Sequence, residues 1–391
     1  TLGEILSSDK YSIKRGPFGS ALKKSFFVEK GIRIFEQYNP INNDPHWKRY
    51  FISHEKFQEL EAFKATEGDL LISCSGTLGK IVELPKDTEM GIINQALLKI
   101  RLNNIKILNS YFIYYFNSPI MQEKILESTL GSAIKNIASV KILKQIEIPL
   151  PPLKEQERIV GILDESFAKI DESIKILEQD LLNLDELMQS ALQKAFNPLK
   201  DNAKENYKLP QSWEWKSLEE ISENISAGGD KPKNCTESKT AKNQIPVYAN
   251  GVNNNGLVGY TDKATIIKPS LTISARGTIG FVCIRKEPYF PIVRLISLIP
   301  CENILCLHYL YFCLNFFIAK GEGSSIPQLT IPKFKSLQIP LPPLKEQEQI
   351  AKHLDFVFEK TKALKELYTK ELKDYEELKQ SLLNKAFKGE L

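Results

Sequence analysis

The side chains of this chain that could do covalent or metal chemistry are not spaced to do it. His46, His54, His308 and His353 lack the i, i+4 pairing of a helix-borne metal site, and none sits in a triad-like context. Cys74, Cys235, Cys283, Cys301, Cys306 and Cys313 show no Cys-x-x-Cys spacing, so neither a zinc knuckle nor a disulfide framework is suggested, and all six are expected to be reduced and buried. A Gly-x-x-x-x-Gly-Lys-Ser/Thr phosphate cradle and a Gly-x-Ser-x-Gly elbow are both missing. Base methylation would call for an Asn/Asp-Pro-Pro-aromatic loop, yet Pro151-Pro152 and Pro342-Pro343 are each flanked by leucine on both sides. Glu371-Leu-Lys373 and Glu377-Leu-Lys379 resemble the tail of a nuclease metal motif, but they fall on a heptad helix, where such charges are solvated faces. The sequence thus suggests no catalytic residue and no metal site.

Composition sets the scale for the elements of the fold. At 391 residues, 42% hydrophobic and 26% charged, the chain can build two cored domains of the usual ~100–200 residues each. Its longest nearly apolar run, Tyr309 to Ala319, is well short of the ~20 residues that cross a bilayer, and no charged-then-apolar leader opens it. The reading is a soluble cytoplasmic protein with no membrane partner. The chain starts at Thr1 without an initiator Met, and Trp213-Glu-Trp215 has no counterpart ahead of Leu2-Gly-Glu-Ile5, which resembles Leu218-Glu-Glu-Ile221. A few N-terminal residues are therefore expected to be missing.

An internal repeat organises the sequence. Ile148-Pro-Leu-Pro-Pro-Leu-Lys-Glu-Gln-Glu-Arg-Ile159 returns 191 residues later as Ile339-Pro-Leu-Pro-Pro-Leu-Lys-Glu-Gln-Glu-Gln-Ile350, and Ala191 to Phe196 returns as Leu382 to Phe387 at the same offset. A length conserved so strictly between two landmarks suggests a rod. Upstream, Ile72-Ser-Cys-Ser-Gly-Thr-Leu-Gly79 resembles Ile273-Ser-Ala-Arg-Gly-Thr-Ile-Gly280 at an offset of 201, so the scaffold is shared while the loops differ in length. Four segments follow: a mixed unit over 1–147, a helix over 148–197, a second mixed unit over 198–338 and a second helix over 339–391.

Each Pro-Pro pair fixes an extended lead-in, after which Lys-Glu-Gln-Glu supplies helix formers and first-turn acids. In the first helix, Leu163, Phe167, Ile170, Ile174, Leu177, Leu181, Leu184, Met188, Ala191 and Ala195 alternate in steps of four and three, a coiled-coil seam. The second carries Leu354, Phe358, Thr361, Tyr368, Leu372, Tyr375 and Leu382; Lys365 and Lys379 fall on seam positions, where Leu364 and Leu378 are expected to substitute. The overall charge of +4 is too mild to announce a nucleic-acid partner. Its distribution is more telling. Residues 1–150 carry 20 basic and 16 acidic side chains and 201–340 carry 16 and 12, against 6 and 10 in 151–200 and 10 and 10 in 341–391. An anionic partner would therefore meet the mixed units. These are α+β, with strands at Asp69 to Ser73 and Ser270 to Ser274 ending in Gly-Thr turns, helices at Tyr111 to Leu126 and His308 to Ala319, and a turn-rich loop from Tyr248 to Tyr260.

The duplicated Pro-Leu-Pro-Pro-Leu-Lys-Glu-Gln-Glu motif, the heptad helices behind it and the Gly-Thr-Leu-Gly and Gly-Thr-Ile-Gly turns together resemble the specificity subunit of type I restriction-modification systems over nearly the whole chain. The resemblance implies two target recognition domains alternating with two helices that pack as an antiparallel coiled coil, each domain reading one half of a bipartite double-stranded DNA site. It implies a non-catalytic chain that binds no cofactor itself. Its partners would be two modification subunits that methylate adenine with S-adenosylmethionine and, through the complex, restriction subunits that use ATP and Mg.

Bases are distinguished by Arg, Asn and Gln, while Lys, Ser, Thr and backbone N–H groups take phosphates. The DNA-binding residues expected in the first unit are Ser20, Lys23, Lys24, Ser75, Thr77, Lys80, Asn94, Gln95, Ser132 and Lys135. In the second they are Lys231, Lys233, Asn250, Asn253, Asn254, Tyr260, Arg276, Thr278, Arg294, Ser324 and Gln328. Arg276 replaces Ser75, and aligning Ile93 with Ile292 sets Arg294 against Gln95, so the two units should read different half-sites. Gly76-Thr77 and Gly277-Thr278 serve equally well as plain strand turns, and the Asn-rich loop as plain surface. A helix of about 34 residues spans ~50 Å, long enough to hold two readers on successive major-groove faces ~34–36 Å apart. Two other classes stay open: a free-standing bipartite DNA-binding scaffold or regulator, which would footprint two half-sites alone, and a coiled-coil protein adaptor, which would show no salt-dependent DNA affinity.

Overall fold

The computed structural model describes residues 1–127, 137–196, 209–318, 321–322 and 329–391. The chain divides into two units, Thr1–Leu177 with Lys370–Leu391, and Glu178–Thr369. Each holds one α+β head and a segment of each long helix.

In the first unit, β1 (Ile13–Arg15), β2 (Leu70–Ser73), β3 (Ile81–Glu83) and β4 (Leu97–Ile100) form an antiparallel sheet in the order β1-β4-β2-β3. Strand β2 is buried on both faces, which is why it reads as an unbroken apolar run rather than an alternation. Leu70 and Ile72 join a core with Tyr111, Phe112 and Leu163, while Leu71 joins a second layer with Phe35, Val82 and Leu97. That layer contains a five-stranded sheet running Phe27–Val28, Phe51–Ile52, Ile32–Phe35, Gly91–Ile93, Lys64–Ala65. The helix expected over Tyr111 to Leu126 is two helices, α1 (Asn109–Asn117) and Pro119–Glu127. Pro119 accounts for the break: the residue before it, Ser118, is extended at φ −69° and ψ 147°. The first long helix is α2 (Leu153–Phe196).

The second unit repeats the plan. Strands β5 (Ser222–Ala227), β6 (Ser270–Ile273), β7 (Val282–Arg285) and β8 (Ile296–Pro300) take the same order, β5-β8-β6-β7, followed by α3 (Leu307–Phe317) and α4 (Leu344–Lys388). Its second layer is a three-stranded sheet running Leu257–Thr261, Ile245–Tyr248, Phe290–Pro291. The loop expected from Tyr248 to Tyr260 is thus a hairpin, whose tip turns on Asn254, Asn255 and Gly256 at φ 47°, 51° and 79° and whose second strand resumes at Leu257. All six cysteines are free. Cys74 and Cys313 are buried, whereas Cys235, Cys283, Cys301 and Cys306 are only half-buried, because they lie in a loop, on the edge strand β7 or at element ends.

The repeated motif fastens each head to its helix. Gln156 is fully buried: its Oε1 accepts from Leu108 N at 2.9 Å, and its Nε2 donates to Lys106 O at 3.0 Å and Pro151 O at 2.8 Å. Gln347 does the same, accepting from Cys306 N at 2.9 Å and donating to Ile304 O at 2.9 Å and Pro342 O at 2.8 Å. Leu108 and Cys306 are the N-caps of α1 and α3, so one amide ties the start of a head helix to the start of a long helix. Tyr111 and Tyr309 add a matching bond each, donating to Pro149 O and Pro340 O.

The long helices pair antiparallel within each unit. In the first, Leu163 shares a core with Leu383 and Ala386, and Asp171 pairs with Lys379; in the second, Asp185 pairs with Lys365, and Leu192 and Phe196 share a core with Leu354 and Ala351. The two lysines therefore occupy the seam themselves, and the expected substitutes face solvent, Leu364 at 38% exposure and Leu378 at 44%. A lysine can do this because its stem packs while its ammonium reaches an aspartate on the facing helix. Near its end α2 buries Leu192 and Phe196 instead of the expected Ala191 and Ala195, which stay half-buried. Steps of four from Leu184 through Met188 carry the stripe around the helix, and Phe196 meets the rings of Tyr309, Phe316 and Phe317.

Replacing Gln156 or Gln347 by leucine leaves a buried N–H and two carbonyls unpartnered, so each change should cost about 3 kcal/mol in urea unfolding. The exposed neighbour Glu157→Leu should stay within about 0.5 kcal/mol.

Candidate nucleic-acid interface

Strand β2 leaves its sheet through a tip held by one serine. Ser73 N donates to Lys80 O at 2.9 Å, Lys80 N donates back to Ser73 Oγ at 3.0 Å, and Gly79 N donates to Ser73 O at 3.0 Å. Gly76 and Gly79 take φ 65° and 69°, a conformation that favours glycine. The second head repeats the backbone bonds: Ser274 N donates to Phe281 O at 2.9 Å, Gly280 N to Ser274 O at 3.0 Å, and Gly277 and Gly280 take φ 70° and 82°, while the Ser274 hydroxyl accepts instead from Gly251 N at 3.3 Å. Thr77 and Lys80 are exposed and Ser75 half-exposed on the first tip; Arg276 is exposed on the second, while Thr278 lies in a short strand paired with Gly321–Glu322.

A second loop meets each tip. In the first head, Cys74 N donates to Ala96 O at 2.8 Å, and Asn94 Oδ1 accepts from Ala96 N at 3.0 Å, which leaves Gln95 exposed. Burial pushes the Cys74 thiol up to about 11, so it packs there as a protonated group. In the second head, Asn250 is the bridge: its Oδ1 accepts from Ala275 N at 2.8 Å and its Nδ2 donates to Val293 O at 2.6 Å.

A glycine at the end of the first strand of each head sheet then closes the group. Gly16 N donates to Leu97 O at 2.9 Å, and a Cβ on Gly16 would lie 1.7 Å from Asn94 O. Gly228 N donates to Leu295 O at 2.8 Å, and its Cβ would lie 2.6 Å from Ile292 N. Three residues separate Ile93 from Leu97 but two separate Ile292 from Leu295, so Arg294 spans the places of Gln95 and Ala96 rather than matching Gln95 alone. The shorter loop turns on Val293 and Arg294 at φ 52° and 59°, unusual for a β-branched residue. Arg294 N to Gly228 O at 2.9 Å and Val293 N to Gly229 O at 2.8 Å hold it in place.

The expected DNA-binding residues thus gather at one end of each head sheet. Ser75, Thr77, Lys80, Asn94 and Gln95 do so in the first head, with exposed Ser20, Lys23 and Lys24 on the chain leaving Gly16. Asn250, Arg276, Thr278 and Arg294 do so in the second, with exposed Lys231 and Lys233 on the chain leaving Gly228. Asn253 and Asn254 lie on the neighbouring hairpin tip, and Tyr260 lies on its second strand with Lys239 Nζ 5.6 Å from its ring. Ser132, Lys135, Ser324 and Gln328 lie outside the described residues. Among the described residues, no three His, Cys, Asp or Glu side chains gather as a metal site, and no helix is long and apolar enough to cross a membrane.

The family model of the type I restriction modification DNA specificity domain matches residues 19–181 and again 210–374, each time one head with the helix behind it. The chain belongs to this family. A putative type I specificity subunit from Mycoplasma pneumoniae is 33% identical over 221 residues, 55% of this chain and 56% of the relative, so the match spans little more than half of that protein. A putative type I restriction enzyme specificity subunit from Methanocaldococcus jannaschii is 25% identical over 362 residues, 87% of this chain and 82% of that one. A solved structure concerned with complex assembly and conformational transition of the type I R-M system superposes with a TM-score of 0.81 at 20% identity, covering 100% of this chain and 97% of the other, which shows a shared fold. The two matches include both tips and the loops that meet them, and the first begins three residues after Gly16.

Three residues at these sheet ends carry no polar side chain: Gly16, Gly228 and Phe18. The Gly16-Pro17 and Gly228-Gly229 dipeptides after strands mark the two glycines in the sequence, whereas nothing there marks Phe18, which the structure leaves 69% exposed. Gly16→Ala should destabilise the first head by about 2 kcal/mol, since backbone must move to admit the methyl. Gly229→Ala, with nothing within 4 Å of its Cβ, should stay within about 0.5 kcal/mol. Thermal unfolding of the two variants checks the difference.

Proposed function

We propose that each head reads one half of a bipartite, asymmetric double-stranded DNA site, and that the paired long helices set the spacer between the halves. The chain itself performs no chemistry. It acts in the cytoplasm by docking two modification subunits, which methylate adenine with S-adenosylmethionine, and through them restriction subunits that use ATP and Mg. The observation that carries this reading is one scaffold with two different surfaces. Strand order, serine-held tip, wedged glycine and glutamine joint recur in both heads, while Ser75, Asn94 and Gln95 give way to Arg276, Val293 and Arg294. Constant backbone with altered donors and acceptors suits the reading of two different base sequences. The continuous 44-residue α2 is about 66 Å long, ample for faces ~34–36 Å apart on a duplex. The repeated proline motif supports partner docking less strongly than its repetition suggests, because its glutamines are taken up by the head–helix joints.

Mapping methylated adenines in host DNA with and without this chain tests the assignment; a two-part motif with a fixed gap should vanish when the chain is removed. Exchange of residues 1–147 for another head should change one half of that motif and leave the other half and the gap intact. A change in both halves would count against separate readers. A free-standing regulator would footprint DNA without altering methylation, and a protein adaptor would lack the steep fall of DNA affinity with salt.

A further inference from the structure

At the end of the first head's sheet away from the tips, a cavity of about 340 Å³ opens between the Asp9–Tyr11 turn and the Glu61–Phe63 turn. Lys99, on β4, lines it and is only 6% exposed. Among the described residues, its ammonium has one hydrogen-bond acceptor, Lys64 O at 2.7 Å, and no carboxylate within ion-pair distance. The buried carboxylate nearby, Asp69, is already engaged: both its oxygens take a bond from Arg101, at 2.8 and 2.9 Å, and Oδ2 also accepts from Thr66 N. Lys14, beside Lys99 in the sheet, faces the rings of Tyr11 and Phe63 at 5.4 and 5.1 Å. Among the residues lining the cavity, Lys10, Lys64, Lys99 and Arg101 thus stand against Asp9 and Glu61, a surplus of two positive charges.

A buried cation without a counter-ion is expensive, and burial already lowers the proton affinity of this amine. The fold does not impose that cost. Leu98 pairs with Ile72 in the first sheet as Ile296 pairs with Ile273 in the second, so Ser270, Ser297 and Ile299 occupy the places of Asp69, Lys99 and Arg101. The second head has neutral side chains at those three places; its own buried cation, Arg285, lies on the adjoining strand β7, where it donates to Thr272 Oγ1 at 3.0 Å and to Asn255 O. The charge in the first head therefore points to an anion, and two surplus charges match a phosphate group, which carries close to −2 near neutral pH.

We propose that this pocket binds the phosphate group of a small soluble molecule, with Lys99 as the buried contact and Lys10 and Lys64 closing over it. It is separate from DNA reading: the tips leave the sheet beyond Ser73 and Leu97, and the pocket lies beyond Leu70 and Ile100 at the other end. Isothermal titration of the full chain with inorganic phosphate, at constant ionic strength made up with chloride, should give one saturable site per chain. Lys99→Met removes the ammonium and keeps the stem, and should weaken phosphate about tenfold or more while leaving duplex affinity unchanged. Lys10→Ser, at the exposed rim, should weaken phosphate several-fold with thermal stability unaltered. Absence of saturable binding, equal affinity in both variants, or displacement of phosphate by duplex DNA would each overturn the proposal; the last would make the pocket part of the DNA path.

Discussion

A neutral side-chain amide sets the geometry on which the rest of each unit depends. Gln156 and Gln347 each satisfy a helix N-terminal N–H and two carbonyls in a site without water access, fixing a head helix against the start of a long helix. Glutamine suits the task because one planar group presents both an acceptor and two donors. An ionised carboxylate in the same place would accept the N–H but repel both carbonyls. The flanking Pro-Pro pair ends the extended lead-in and contributes one of those carbonyls, so the whole motif reads as a joint written twice.

Below the joint the two units solve the same packing problem with different residues. The equivalent Asp164 and Asp355 each bond to a head helix, but one receives the Tyr114 hydroxyl and the other faces His308 Nδ1 at 2.8 Å. Both seams admit a lysine opposite an aspartate, and both heads wedge a glycine against the loop ahead of the last sheet strand. What is held constant is backbone geometry. What varies is the chemistry presented on it.

The large periodicities were legible in the sequence: the 191-residue repeat, the helices that follow Pro-Pro, and the heptad spacing of Leu163, Ile170, Leu177 and Leu184. Local breaks were less so. Pro119 divides a helix whose apolar pattern runs on across it, and the stripe on α2 drifts onto Leu192 and Phe196 because steps of four rotate it toward the aromatic rings of the second head. Lys365 and Lys379 looked like interruptions because hydropathy treats a lysine as one object, whereas its stem and ammonium occupy different surroundings. At the candidate interface, residue type was enough to find exposed polar tips, but Gly16 and Gly228 carry no functional group and matter only through the backbone beside them. Lys99 was invisible for the opposite reason: its charge gave no hint of its burial.

The hydrogen bonds that shape the first tip belong to Ser73, Gly79 and Lys80, through backbone groups and one hydroxyl. None of these bonds uses the side chain of Ser75 or Thr77. Successive generations can therefore exchange those two residues at little risk to the turn, so natural variation at this spot can alter the polar groups on display while the protein keeps folding as before.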